Sequence, residues 1–252
     1  MQLETTPQTK KQKLFSHNSY NEDNLLAKFI QMILFTGFSK TYMQVTEIFY
    51  SLQGEGLFLG IPAVFLRLSG CNLRCKWCDT KYAWNPKNAK QMEVTEIAKV
   101  IKKYPAKHLV ITGGEPLLQQ QEILSLIKKL KNYYIEIETN GTIKSTLGNY
   151  VNLYSCSPKL THAKTLNLPL QKFPEEKTFY KFVIASPSDI EEVKNFIEKY
   201  KIKQSKVLLM PLGIKEKELK KRSKWLAELC KKEDLRFSPR LQITLWGTTR
   251  AR

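Results

Sequence analysis

The order of segments along this chain predicts an α/β fold: a mostly parallel sheet with helices packed outside it. Three observations carry that expectation. Short runs of β-branched and aromatic residues alternate with longer amphipathic segments. Apolar residues in the longer segments keep helical spacing, as Ile123, Ile127 and Leu130 do. Turn-forming residues stand just after most of the short runs, Gly113-Gly114 and Asn140-Gly141 among them.

Taken in order, the sequence becomes strand-like at Met43, and a strand follows at Ala63–Leu68. A helix is expected over Thr95–Lys103, then a strand over Leu109–Thr112 and a helix over Leu117–Lys131. Strands at Tyr134–Thr139, Leu153–Ser157 and Phe179–Ala185 come next. Ser188-Asp189-Ile190-Glu191 reads as a capping box that opens a helix over Asp189–Tyr200. A strand at Val207–Pro211 and a helix over Glu216–Lys232 complete the pattern.

The chain has 252 residues, enough for one large domain or two small ones, and 42% of them are hydrophobic, enough for a real core. Residues 1–42 look unlike the rest: Met1–Asn24 is polar and aperiodic, and the apolar stretch Phe29–Phe38 is too short to span a bilayer. They are expected to be an N-terminal extension, poorly ordered or the product of a misplaced start, ahead of a catalytic domain over 43–252. The polar lead-in is unlike a secretory signal, so the expected compartment is the reducing cytoplasm, without a membrane partner.

Forty-one Lys and Arg against 23 Asp and Glu give a net charge of +18, which invites a nucleic-acid reading. The lysines are spread over helix faces, however, and no aromatic–basic stripe suggests a stacking groove. Only seven arginines occur, and just Arg67 and Arg74 precede residue 222. In a chain that otherwise uses lysine, the planar fork of Arg67 is a candidate clamp for a carboxylate or phosphate.

Three of the five cysteines form Cys71-x3-Cys75-x2-Cys78. Three thiolates are one short of a closed structural zinc site, whereas a cuboidal iron–sulfur cluster on three cysteines keeps one iron open. A zinc site completed by Cys156, Cys230, His108 or His162 stays open on spacing alone. The triad follows the strand at Ala63–Leu68, and Gly113-Gly114-Glu115-Pro116, Asn140-Gly141, Ser157-Pro158-Lys159 and Pro211-Leu212-Gly213 follow others. All stand at C-terminal strand ends, where α/β folds gather ligands.

The cysteine triad together with Thr112-Gly113-Gly114-Glu115-Pro116 resembles the radical S-adenosylmethionine (SAM) enzymes. That resemblance implies a partial (incomplete) TIM-type β/α barrel, a [4Fe–4S] cluster on Cys71, Cys75 and Cys78, and SAM chelated at the open iron. Gly114 would lie along the SAM methionine, with Glu115 near its amine. Trp77, Cys78 and Asp79 would meet its adenosine, and Ser157, Pro158 and Lys159 would flank it further round the sheet. Glu47–Gly56, Arg67 and Trp77-Cys78-Asp79-Thr80 narrow the match to the 7-carboxy-7-deazaguanine synthase family. That implies 6-carboxy-5,6,7,8-tetrahydropterin as substrate and ring contraction to 7-carboxy-7-deazaguanine with loss of ammonia, in 7-deazapurine (queuosine) biosynthesis. Regenerated SAM would act as a cofactor.

By the same resemblance Thr80 would ligate Mg2+, a hard cation that prefers oxygen donors. Leu52, Gln53, Gly54, Glu55, Arg67 and Thr112 would meet the pterin, with Arg67 on its carboxylate. An electron donor such as flavodoxin and a homodimeric assembly are implied as well. Beyond His162 the chain has no histidine and runs on to Arg252, which departs from members whose histidine and terminal carboxylate approach the substrate. Two rivals stand beside this reading: a glycyl-radical activating enzyme, which shares the cysteine spacing, and a basic zinc module that binds RNA.

Overall fold

The computed structural model describes residues Lys40–Arg252, so the expectation for the N-terminal extension lies outside the described residues up to residue 39. Nine strands and five α-helices are described: β1 (Tyr42–Leu52), β2 (Pro62–Leu68), β3 (Lys90–Glu93), α1 (Val94–Lys102), β4 (His108–Gly113), α2 (Gln120–Ile127), β5 (Tyr134–Thr139), β6 (Leu153–Cys156), β7 (Thr178–Ile184), α3 (Asp189–Tyr200), β8 (Val207–Pro211), α4 (Glu216–Glu233), β9 (Arg236–Phe237) and α5 (Leu241–Trp246).

All the strands join one sheet in the order β3-β1-β2-β4-β5-β6-β7-β8-β9. From β2 to β9 every pairing is parallel, and β1 runs antiparallel to both β2 and β3. The series has two free ends, so the β/α barrel is incomplete. A parallel sheet needs a crossover between successive strands, and most of the crossovers here are helical, as the alternating pattern predicts.

Strand periodicity divides the chemistry between two faces. Leu66 and Leu68, Ile135 and Ile137, and Phe182 and Ile184 face outward and are buried against helices. Their neighbours Phe65 and Arg67, Glu136 and Glu138, and Lys181 and Val183 point the other way. One apolar cluster joins β1, β2, β4 and β5 to α1 and α2, through Ile97, Ile101, Ile123 and Leu126. A second joins β7 and β8 to α3 and α4, through Val193, Leu226 and Cys230. The helices thus cover the outside and leave a polar interior.

Several expectations are corrected in detail. The helix anticipated over Leu117–Lys131 is confined to Gln120–Ile127. Pro116 opens a 3-10 turn, Pro116–Gln119, in which the Glu115 carboxylate accepts from the Leu117 N–H at 3.1 Å. The anticipated capping box at Ser188 does not form, since Ser188 has helical backbone angles and makes no cap bond. The first helical residue instead bonds back to the chain ahead of the helix. Asp189 accepts from the N–H groups of Ala185 at 2.7 Å and Ser186 at 3.1 Å, and the Ser186 hydroxyl donates to it at 3.0 Å. The strands β3 and β9 and the helix α5 were not anticipated: β3 is a mostly exposed polar edge, and β9 and α5 are too short to show a period.

Leu66 is fully buried between sheet and helices, whereas Leu166 is 64% exposed. Leu66→Ala is expected to lower stability by about 2–5 kcal/mol, and Leu166→Ala by less than about 0.5 kcal/mol. Urea unfolding midpoints check both.

Candidate active site

The C-terminal ends of the parallel strands open on a cavity of about 770 Å3. It is lined by Leu52 at the end of β1, Gln53, Gly54 and Glu55 from the β1–β2 turn, Arg67 from β2, and Thr112 and Gly114 from β4 and its loop. Cys71, Cys75, Trp77, Cys78, Asp79 and Thr80 line it from the loop after β2, and Ser157 and Lys159 from the loop after β6. Of the residues singled out from sequence, Pro158 is buried beside this wall without lining it.

The cysteine loop is held by its backbone. Gly70 N–H donates to Ala83 O at 2.8 Å and Lys76 N–H to Ala163 O at 2.8 Å. Arg74 folds back onto the carbonyls of Cys71 and Leu73, at 2.5 and 2.7 Å. The three thiols are free, and burial pushes those of Cys71 and Cys75 up. Gly114 packs directly on this loop: a Cβ there would stand 2.2 Å from Gly70 O and 2.7 Å from the Cys71 Cβ. The need for glycine at this position is therefore a matter of close approach.

None of Cys156, Cys230, His108 and His162 lines the cavity with the triad. His108 is engaged by Glu136 at 2.9 Å, His162 by Val183 O at 3.0 Å, Cys156 is fully buried, and Cys230 is buried in the outer apolar cluster. The zinc reading therefore loses all four of the fourth ligands that the sequence offered.

Deeper in the cavity the polar residues engage one another. Gln53 donates to Glu136 at 3.3 Å and to Glu138 at 3.4 Å, while its oxygen accepts from the Glu55 N–H at 3.3 Å. Glu55 accepts from Lys181 at 2.6 Å, Gln242 at 2.6 Å and Arg240 at 3.1 Å. Arg67 spends its Nε on Glu47 at 2.7 Å, and no other protein acceptor meets its guanidinium among the described residues. Burial opposes its charge, but Tyr82, Glu47 and Glu138 hold it protonated. Thr80 stands before a 3-10 turn without making a side-chain cap bond, its hydroxyl 3.5 Å from the Cys78 Sγ.

Two readings change here. Glu115, expected near the SAM amine, is buried away from the cavity with its carboxylate filled by Leu117 N, Thr139 Oγ1 and Asn140 N, and burial pushes its carboxyl up. It braces the loop instead. The C-terminal segment, which lacks the histidine of other members, nevertheless lines the mouth between Arg240 and Arg252, and Arg250 pairs with Glu47 at 3.0 Å. Lys181 and Arg240 were missed. Lys181 is a lone charge in an otherwise apolar strand, and Arg240 is one of only seven arginines, the signal that had marked Arg67.

Residues 66–226 match the radical SAM superfamily. The chain is 38% identical over 219 residues to a 7-carboxy-7-deazaguanine synthase of Pyrobaculum aerophilum, covering 83% of this chain and 97% of that one. The chain belongs to the 7-carboxy-7-deazaguanine synthase family. A synthase of the same name from Hyperthermus butylicus is 36% identical over 217 residues, covering 81% and 92% of the two chains. The crystal structure of QueE from Escherichia coli matches with a TM-score of 0.65 at 26% identity, over 79% of this chain and 94% of that one. These relatives favour neither the glycyl-radical activating enzyme nor the zinc module.

Membership in the radical SAM superfamily brings a [4Fe–4S] cluster and SAM as cofactors. The donor set fits: three free cysteines of one loop face a single cavity, and no fourth cysteine and no histidine lines it among the described residues. Among the described residues no three Cys, His, Asp or Glu side chains close on a single ion. A cluster does not ask for that, because cysteines on different irons stand farther apart than ligands of one ion.

Burial alone would raise the Glu55 carboxyl, but Lys181 and Arg240 overcome it and hold it well below its ordinary value of 4.5. The unfolded chain then binds that proton first as pH falls. The stabilisation is complete above the ordinary value and is lost as pH drops below it toward the folded one. Lys181→Met removes the strongest attraction and is expected to flatten this acid limb. Urea midpoints between about pH 3 and pH 6 read the slope, and an unchanged slope would contradict the assignment.

Proposed function

We propose that this chain converts 6-carboxy-5,6,7,8-tetrahydropterin to 7-carboxy-7-deazaguanine and ammonia. The atoms of the substrate are those of the two products, so no net oxidant or reductant is consumed. The observation that supports the reading best is that the cysteine loop, the Leu52–Glu55 turn and Arg67 share one cavity. Cys71, Cys75 and Cys78 would hold the cluster, which together with SAM would supply hydrogen-atom abstraction and return at the substrate.

The chain's own residues bind and orient. The free edge of the Arg67 guanidinium grips the pterin carboxylate as a charge-assisted fork. Glu55, held ionised, accepts from N–H groups of the pterin edge, with the backbone of Leu52 to Gly54 and the Thr112 hydroxyl beside it. Gln53 is committed to Glu136 and Glu138 and contributes by fixing the turn. Thr80, whose hydroxyl makes no cap bond, would offer an oxygen donor to a Mg2+ ion. Trp77, Cys78, Asp79, Gly114, Ser157 and Lys159 line the side toward SAM, Lys159 lying 5.6 Å over the Trp77 ring, with Pro158 shaping the loop that carries two of them. A flavodoxin-type electron donor, a homodimer and a reducing, cytoplasmic setting complete the reading. No helix among the described residues is long and apolar enough to cross a membrane.

Iron and sulfide analysis of oxygen-free protein, followed by turnover of the pterin with SAM and dithionite, tests it directly. Cys75→Ala is expected to abolish both cluster content and product. Arg67→Lys is expected to raise KM for the pterin about 10- to 100-fold, the loss of a bidentate charged hydrogen bond, while the Kd for SAM changes far less. Equal losses for both ligands would count against the clamp.

A further inference from the structure

The strongest feature outside the roles assigned above is a single guanidinium at the mouth of the cavity. We propose that Arg240 is a positioning residue that couples the pterin half of the cavity to the SAM half. The inference rests on the preceding reading of which half is which. Arg240 is only 7% exposed. Its Nε donates to Glu55 Oε1 at 3.1 Å, one Nη donates to Asp79 Oδ2, and the other donates to Gly213 O. One planar group therefore touches the β1–β2 turn, the residue just after the cysteine triad, and the loop after β8.

The arginine is itself braced. Leu241 N–H donates to Gly54 O at 2.9 Å, and Gln242 Nε2 donates to Glu55 at 2.6 Å. The Ser238 hydroxyl accepts from Gly56 N–H at 2.8 Å. Gly54 is the seat of this segment: a Cβ there would fall 2.1 Å from Gln242 Oε1 and 3.1 Å from Gln242 N. A guanidinium cannot bend, so a displacement of Asp79 is passed to Glu55 and the reverse. Arg240 is the only cation paired with Asp79 among the described residues. Lys181 and Gln242 remain on Glu55 when Arg240 is lost, so that carboxylate stays satisfied while its tie to Asp79 goes.

Two ligands bound on opposite sides of a shared rigid partner influence each other reciprocally. The test is titration of SAM into anaerobically reconstituted protein, with and without 6-carboxytetrahydropterin, following Kd by calorimetry. In the unaltered protein the pterin is expected to change the SAM Kd by about fivefold or more, and in Arg240→Gln by less than about twofold. Iron content should be unchanged in the variant. Asp79→Asn is expected to remove the same coupling by itself and to add nothing to Arg240→Gln; it also keeps the test alive if Arg240→Gln does not fold. Coupling that survives in both variants, or that is missing from the unaltered protein while both ligands bind, overturns the proposal. Failure of the pterin to bind at all overturns the substrate reading and this inference with it.

Discussion

A carboxylate removed from water has to be surrounded by donors, and the interior of this molecule is arranged around one such group, Glu55. Its partners come from distant parts of the chain: Lys181 on β7, and Arg240 and Gln242 in the C-terminal segment. Breaking a buried ion pair by removing one partner costs far more than the pair itself contributes. The turn that carries Glu55, the strand that carries Lys181 and the closing segment are therefore interdependent. The rim of the cavity takes its shape from that dependence.

The network extends below the cavity. Lys181 stands 3.9 Å from Glu138, Gln53 bridges Glu138 and Glu136, and Glu136 meets His108 at 2.9 Å. Burial pushes the Glu136 carboxyl up, although His108 pulls the other way. A polar column through the middle of a β/α barrel would be costly if any member were left unpaired. Here each member has a partner, and the apolar work of folding is done on the outer face, where the helices pack. The division lets the interior be polar without undermining the core.

Open topology and function are connected. A closed eight-stranded barrel fills its interior with side chains, whereas this sheet ends at β3 and β9 without closing. Small residues on the inner face, Thr112 on β4 and Ser155 on β6, keep room at the C-terminal end. The cysteine loop and the β4 loop meet across Gly114, where only a missing side chain permits the contact. The space is thus bounded by strands below, loops at the side and the C-terminal segment at the mouth.

Features governed by neighbours in sequence were legible from it. The cysteine spacing, the Gly-Gly loop, the apolar strands β2, β4, β7 and β8, the alternating strand β5, and the long helices α3 and α4 all announce themselves within a few residues. Positions decided by partners far along the chain did not. Nothing near Glu115 says that its carboxylate will fasten β5 rather than face a ligand, and nothing near Ser188 says that Asp189 will bond back to Ala185 and Ser186. Lys181 and Arg240 look like surface cations until the fold brings Glu55 between them. Local periodicity and spacing by themselves determined the α/β class, the metal-binding loop and the family resemblance, because those depend on side-chain order along a few turns or strands. Only the tertiary structure decided which charges share the cavity, because electrostatic partners are chosen by distance in space, and that distance exists only after the sheet has formed.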